Sequence, residues 1–184
     1  MFSTLRDRLF VSIALGVLAG DLITKRIAES SLPLHQPRQV IGEYLRWTLT
    51  YNTGAAMNMS LGTSSRVIFS VLAVVMIAVI LRMWRGLPPT STWLAASLGM
   101  IVAGATGNLL DRVRSAHGVV DFIDVGIGTA RFWTFNVADS GVSVGAVILA
   151  ILTWHEPSHA APKANEQSSV PDVAPAEDGP PPPA

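Results

Sequence analysis

Five aspartates, Asp21, Asp111, Asp121, Asp124 and Asp139, stand at or beside the ends of apolar stretches. A carboxylate in such a place is costly to keep and is a functional candidate by default. Asp21 and Lys25 are four apart, on one face if the segment is helical, and can pair there. Asn108 and Asp111 share a face at the end of another apolar run, where the helix dipole disfavours an acid; the neighbouring Arg112 would neutralise it and fix its rotamer. Asp121 lies inside Val119-Val120-Asp121-Phe122, surroundings that raise a carboxyl pKa. Asp139 opens the run that follows it. It can serve as an N-cap, but Asn136 and Ser140 cap equally well, which leaves Asp139 free to face a bundle interior.

Two such carboxyls close together share a proton. The ionised one draws a proton from water and the protonated one polarises a scissile carbonyl, the chemistry of an aspartyl hydrolase. Other chemistries lack their residues. The chain has no cysteine, which excludes thiol catalysis, disulfides and attachment of lipid through cysteine. It has no Gly-x-Ser-x-Gly. Its four histidines (His35, His117, His155, His159) are scattered, so a zinc site is not expected; no other cofactor is expected either. Net charge is zero, and no basic block marks a nucleic-acid partner. Two further readings stay open on spacing alone. The acids might line an ion path in a small transporter, or pair with Lys25, Arg112 and Arg131 in a non-catalytic assembly factor. A channel would place ionisable groups at mid-depth on several helices, and the later spans carry none there.

The elements that position these acids are membrane spans. Of 184 residues, 49% are hydrophobic and 14% charged, well short of the roughly one-quarter charged that a soluble domain uses. Crossing a bilayer takes about 20 helical residues. Uncharged runs cover 67–81, 93–110 and 140–154, and a shorter one covers 9–20. The first spans only if Asp21 and Lys25 lie within the membrane zone. It also resembles a signal peptide, but apolar helical character resumes at Ile23 and Ile27, which favours a retained span. Gly86-Leu87-Pro88-Pro89 is a turn. Segment 40–61 alternates enough for β structure, with Gly54 marking a turn or close approach. Residues 156–184 are rich in Pro, Ala, Ser and acid and are expected to form a disordered tail after a membrane domain over 1–155. With four spans both termini share a side, which carries five basic residues (Arg6, Arg8, Arg82, Arg85, Lys163). The other side carries eight: Lys25, Arg26, Arg38, Arg46, Arg66, Arg112, Arg114 and Arg131. The positive-inside count thus gives no support to cytoplasmic termini.

Five motifs in order, Asp21-x-x-x-Lys25, Tyr51-Asn52-Thr53-Gly54-Ala55-Ala56, Gly104-Ala105-x-Gly107-Asn108-x-x-Asp111-Arg112, Val119-Val120-Asp121-Phe122 and Phe135-Asn136-x-Ala138-Asp139, closely resemble the type II (lipoprotein) signal peptidases of bacteria. The resemblance implies an all-α membrane protein, a four-transmembrane-helix bundle with a small extracytoplasmic β-cradle. It implies an inner-membrane, multi-pass, monomeric enzyme with both termini cytoplasmic and its active site at the outer face. That enzyme would cut the signal helix from a prolipoprotein just before a diacylglyceryl-cysteine, in contact with membrane lipid. By motif, Asp121 and Asp139 match the catalytic dyad; preferring Asp121 to Asp111 rests on the family. Asp21, Lys25, Asn52, Gly54, Asn108, Asp111, Arg112, Asn136 and Ala138 match the surrounding polar framework. Asn52 and Arg112 would hold the substrate backbone, and Asn108, Asp111 and Asn136 would orient the dyad. Met57-Asn58-Met59 departs from the family, which commonly has an aromatic residue there. Glycines 99, 104, 107, 141 and 145 would let the helices approach closely and leave a lateral groove for the substrate helix.

Overall fold

The computed structural model describes residues 4–54 and 64–154. The expected tail, the end of the 40–61 segment and the Met57–Met59 departure lie outside the described residues. Four helices, α1 (Leu5–Ser31), α2 (Ser65–Gly86), α3 (Thr92–Arg114) and α4 (Val137–Trp154), accompany four strands, β1 (Arg38–Ile41), β2 (Leu45–Asn52), β3 (Val119–Ile127) and β4 (Ala130–Arg131). The protein is therefore mostly helical with a small antiparallel sheet. Helices α2, α3 and α4 are long and apolar enough to cross a membrane.

Helix α1 begins at Thr4, whose hydroxyl accepts the Asp7 N–H at 3.2 Å, a side-chain cap. Its 27 residues correspond to about 40 Å of helix, far beyond the apolar run 9–20. It continues unbroken through Asp21 and Lys25, whose charges meet at 2.8 Å and are fully buried.

Small residues put α3 at the centre of the bundle. A side chain at Gly99 would run into the Phe10 carbonyl of α1, one at Gly104 into the Ala138 carbonyl and Val142 of α4, and one at Gly107 into the Asp21 carboxylate. Gly141 and Gly145 lie equally close to Val17, Ile101 and the carbonyls of Met100 and Ser97, so all five glycines expected at contacts are there. Helix α2 differs. It buries only Ser65, Ala73 and Ile80 and exposes Val67, Val71, Val74, Val75 and Val79, the outward face that lipid requires. Its far end is tied down by a Phe10–Trp84 stack with ring centroids 4.3 Å apart and by the Arg6 guanidinium, which donates to the Leu87 carbonyl.

The sheet runs in the order β1-β2-β3-β4, each neighbouring pair antiparallel. Between β2 and β3, Thr50 lies opposite Asp121 and Asn52 opposite Val119. Leu49, Val120 and Phe122 of this pair pack with Ala28 of α1, which seats the sheet on the end of α1. The basic residues on this side also acquire partners. Lys25, Arg66, Arg112, Arg114 and Arg131 are all engaged with carboxylates or backbone carbonyls of the chain itself.

Candidate active site

The polar framework starts from one buried cation. The Lys25 ammonium donates to Asn108 Oδ1 at 2.9 Å and forms ion pairs with Asp21 Oδ2 at 2.8 Å and Asp111 Oδ2 at 2.9 Å. Three acceptor oxygens thus surround one ammonium, which has three protons to offer. Each acceptor holds something else in place. Asp21 Oδ1 accepts the Ala138 N–H at 2.8 Å, fixing the first turn of α4. Asp111 Oδ2 accepts the Val120 N–H at 3.2 Å, fixing the start of β3. Asn108 Nδ2 donates to Asp139 Oδ1 at 2.7 Å.

Asn136 and Asp139 close the start of α4 reciprocally. The Asp139 N–H donates to Asn136 Oδ1 at 2.9 Å and the Asn136 N–H donates to Asp139 Oδ2 at 3.2 Å, the geometry of a capping box built from Asn and Asp. Asn136 is therefore the cap, and Asp139 completes the box while one carboxylate oxygen turns to Asn108. The Asn136 amide also donates to Asp121 Oδ1 at 2.7 Å, to the Val120 carbonyl at 3.2 Å and to Asn108 Oδ1 at 3.1 Å. Two asparagines thus join both acids to each other and to Lys25. Asp121 further accepts a hydrogen bond from Asn52.

Arg112 does not take the part expected beside Asp111. Its guanidinium donates to the Gly54 carbonyl at 2.9 Å and the Asn108 carbonyl at 3.2 Å, while Lys25 and Arg114 serve Asp111. The Gly54 N–H in turn donates to Asn52 Oδ1 at 2.9 Å, a side-chain turn that holds Asn52 and the end of β2. The framework expected from the sequence is thus assembled in one place.

Asp121, Asp139, Asn52, Asn108 and Arg112 line a groove of about 700 Å³ between α2, α3 and α4. Its remaining lining is mostly apolar. One wall is Phe69, Leu72, Ala73 and Met76 of α2, a stripe at i, i+3, i+4 and i+7 that the sequence analysis passed over although its spacing is legible. Phe132 and Trp133, which lead from β4 toward α4, form the rim and were also missed. Their rings lie 3.8 Å apart between centroids.

Burial, and after it the negative charge of Asp139, push the Asp121 carboxyl up to about 7, against the opposing hydrogen bonds of Asn52 and Asn136 and the charge of Lys25. Below the ordinary aspartate value of 3.8 both folded and unfolded chains carry this proton. Between there and about 7 the folded chain keeps it and the unfolded chain loses it, so this group's contribution makes stability fall as pH rises through that window and then level off. Asp121→Asn is expected to abolish that contribution. Thermal unfolding in detergent at about pH 5 and pH 8 should show a larger acid-side stabilisation in wild type than in the variant; equal pH dependence would contradict the assignment.

The fold is that of a membrane enzyme. Two solved structures of bacterial membrane enzymes, at 2.3 Å and 1.9 Å resolution, match with TM-scores of 0.73 and 0.74 and 26% identity, covering 85% of this chain and 94% and 99% of theirs. The family model described as signal peptidase (SPase) II matches residues 13–155, and the chain belongs to that family of peptidases. Lipoprotein signal peptidases of Mycobacterium avium and Pseudomonas fluorescens are each 42% identical to it, over 80% of both chains in the first case and over 76% of this chain and 83% of the relative in the second.

Proposed function

We infer that this chain removes the signal peptide from diacylglyceryl-modified prolipoproteins, cutting before the lipidated cysteine, with Asp121 and Asp139 as the acid–base pair. The observation that carries the reading is that both carboxyls open onto one largely apolar groove while two asparagines hold them from behind. The apolar α2 stripe and aromatic rim suit a lipid-bearing helix, and the polar end of the groove suits the bond to be cut. Asp121, which holds its proton to about pH 7, serves as the acid that polarises the scissile carbonyl. Asp139, which accepts hydrogen bonds from Asn108 and Asn136, serves as the base that activates water. Asp21, Lys25 and Asp111 keep these elements in register, and no metal or other cofactor enters the mechanism.

The peptidase domain is 1–155, with α1 as the fourth span. Asp21 and Lys25 are paired and buried against α3, so they present no charge to lipid. Four spans put both termini on one side of the membrane; we take that side to be the cytoplasm, with the carboxyl pair at the outer face of a bacterial inner membrane. Four of the eight basic residues on that side, Lys25, Arg26, Arg114 and Arg131, pair with carboxylates of the chain itself, which offsets part of the charge bias that opposed this orientation. We read the enzyme as a monomer, in which one chain supplies the groove and both acids.

The test compares a prolipoprotein peptide bearing diacylglycerol on its cysteine with the same peptide unlipidated. Mass spectrometry should find a new N-terminal cysteine only from the lipidated form. Equal cleavage of both would refute the substrate assignment, and cleavage of neither by folded protein would refute the peptidase reading.

A further inference from the structure

Asp124 is the one acid of the original five that the site framework does not absorb, and it is the centre of a separate construction. Its Oδ1 accepts two hydrogen bonds from Arg131, from Nε at 2.9 Å and Nη2 at 2.7 Å, and its Oδ2 accepts the Thr48 hydroxyl at 3.0 Å. Arg131 Nη2 also donates to the Asp124 carbonyl at 2.9 Å, and Nη1 reaches the Glu43 carbonyl at 2.6 Å. One guanidinium therefore ties β4 to β3 and to the turn between β1 and β2. Asp124 is buried, which strengthens such a charged pair relative to one in water. Gly126 makes the crossing possible, since a side chain there would meet the Arg131 stem and the Ala130 carbonyl.

The chain that leaves this knot forms the rim of the groove. Phe132 donates its N–H to the Val125 carbonyl at 2.8 Å, and Phe135 donates to the Ile123 carbonyl at 3.0 Å. Three consecutive residues of β3, Ile123, Asp124 and Val125, thus receive Phe135, Arg131 and Phe132. Phe132, Trp133, Thr134 and Phe135, the residues at and between these pins, all line the groove. Asp121 shares β3 with Asp124, but the carboxyls of the two acids are held by side chains outside this knot: Asp121 by Asn136 and Asn52, Asp139 by Asn108 and Asn136.

We propose that the Asp124–Arg131 pair is a latch that sets the position of the Phe132–Trp133 rim, making both residues positioning residues for the apolar, lipid-bearing part of the substrate. The proposal rests on the peptidase reading of the groove. Asp124→Asn and Arg131→Gln should each raise KM for a diacylglyceryl prolipoprotein peptide by about tenfold, the equivalent of one charged hydrogen bond. Both should leave kcat within about twofold, because the dyad is anchored elsewhere. The double variant should be no worse than either single one, since both break the same pair. Arg131→Lys, which keeps the charge but loses the fork, should fall between Gln and wild type. Thermal unfolding measured on each variant separates this from a general loss of structure. Wild-type cleavage with KM unchanged in both single variants would overturn the latch, as would a parallel collapse of kcat, KM and thermal midpoint in Arg131→Lys. Failure of the wild type itself to cleave would overturn the peptidase reading and, with it, the latch's part in binding.

Discussion

Asparagine at either position 121 or 139 is expected to lower kcat by about 10³-fold or more while KM stays close to wild type, as steady-state cleavage assays of the purified variants would measure. The substitution changes almost nothing in shape. At 121 the amide oxygen can still accept from Asn136, whose Nδ2 lies 2.7 Å from the native carboxylate. What is lost is the proton that Asp121 holds up to about pH 7, which in the proposed mechanism polarises the scissile carbonyl. At 139 the proposed base is lost, because an amide takes no proton from water at neutral pH. Asp139→Asn also keeps only one of the two oxygens that receive Asn108 and Asn136. That variant should therefore lose about 1 kcal/mol of helix capping as well, too little to unfold the protein. Wild-type turnover should itself decline as pH rises through about 7, because Asp121 then gives up its proton.

The second large effect is on folding. Lys25→Met should destabilise the protein by about 3–5 kcal/mol, measured as a fall in the thermal midpoint in detergent. The ammonium is 1% exposed and is the shared partner of Asp21 and Asp111, themselves 0% and 1% exposed. Removing it strands the Asp21 carboxylate where water cannot reach it, leaves Asp111 with only the longer 3.3 Å pair to Arg114, and frees Asn108 from one of its contacts. The cost arises from unpaired charge rather than from lost packing. The triple variant Asp21→Asn, Lys25→Met, Asp111→Asn is accordingly expected to be more stable than Lys25→Met alone. A triple variant as unstable as the single one would show that the packing of the lysine stem dominates.

The sequence made the acids legible because they stand where acids are expensive, at the ends of apolar runs. It made α2, α3 and α4 legible for the complementary reason, that uncharged runs of near bilayer length have few other uses. Helix α1 was only half visible. Its apolar run ends at Gly20; the four-residue spacing of Asp21 and Lys25 shows that they can pair, but their burial against α3 and the run of the helix on to Ser31 depend on packing. The partners of two of the counted arginines were equally out of view. Arg66 and Arg112 serve backbone carbonyls at Arg112 and Gly54, and acceptors so remote along the chain leave no pattern in it. Alternation exposed β2, but the register that sets Thr50 against Asp121 depends on pairing across about 70 residues. The triple duty of Asn136, as cap, bridge and support for Asp121, likewise follows from packing rather than spacing.

The most direct test of the paired-carboxylate account is the cleavage of a diacylglyceryl-modified prolipoprotein by the purified protein beside its Asp139→Asn variant, both shown folded by thermal unfolding in the same detergent. The account predicts a product with N-terminal lipidated cysteine from wild type and essentially none from the variant. Comparable product from both proteins would contradict it.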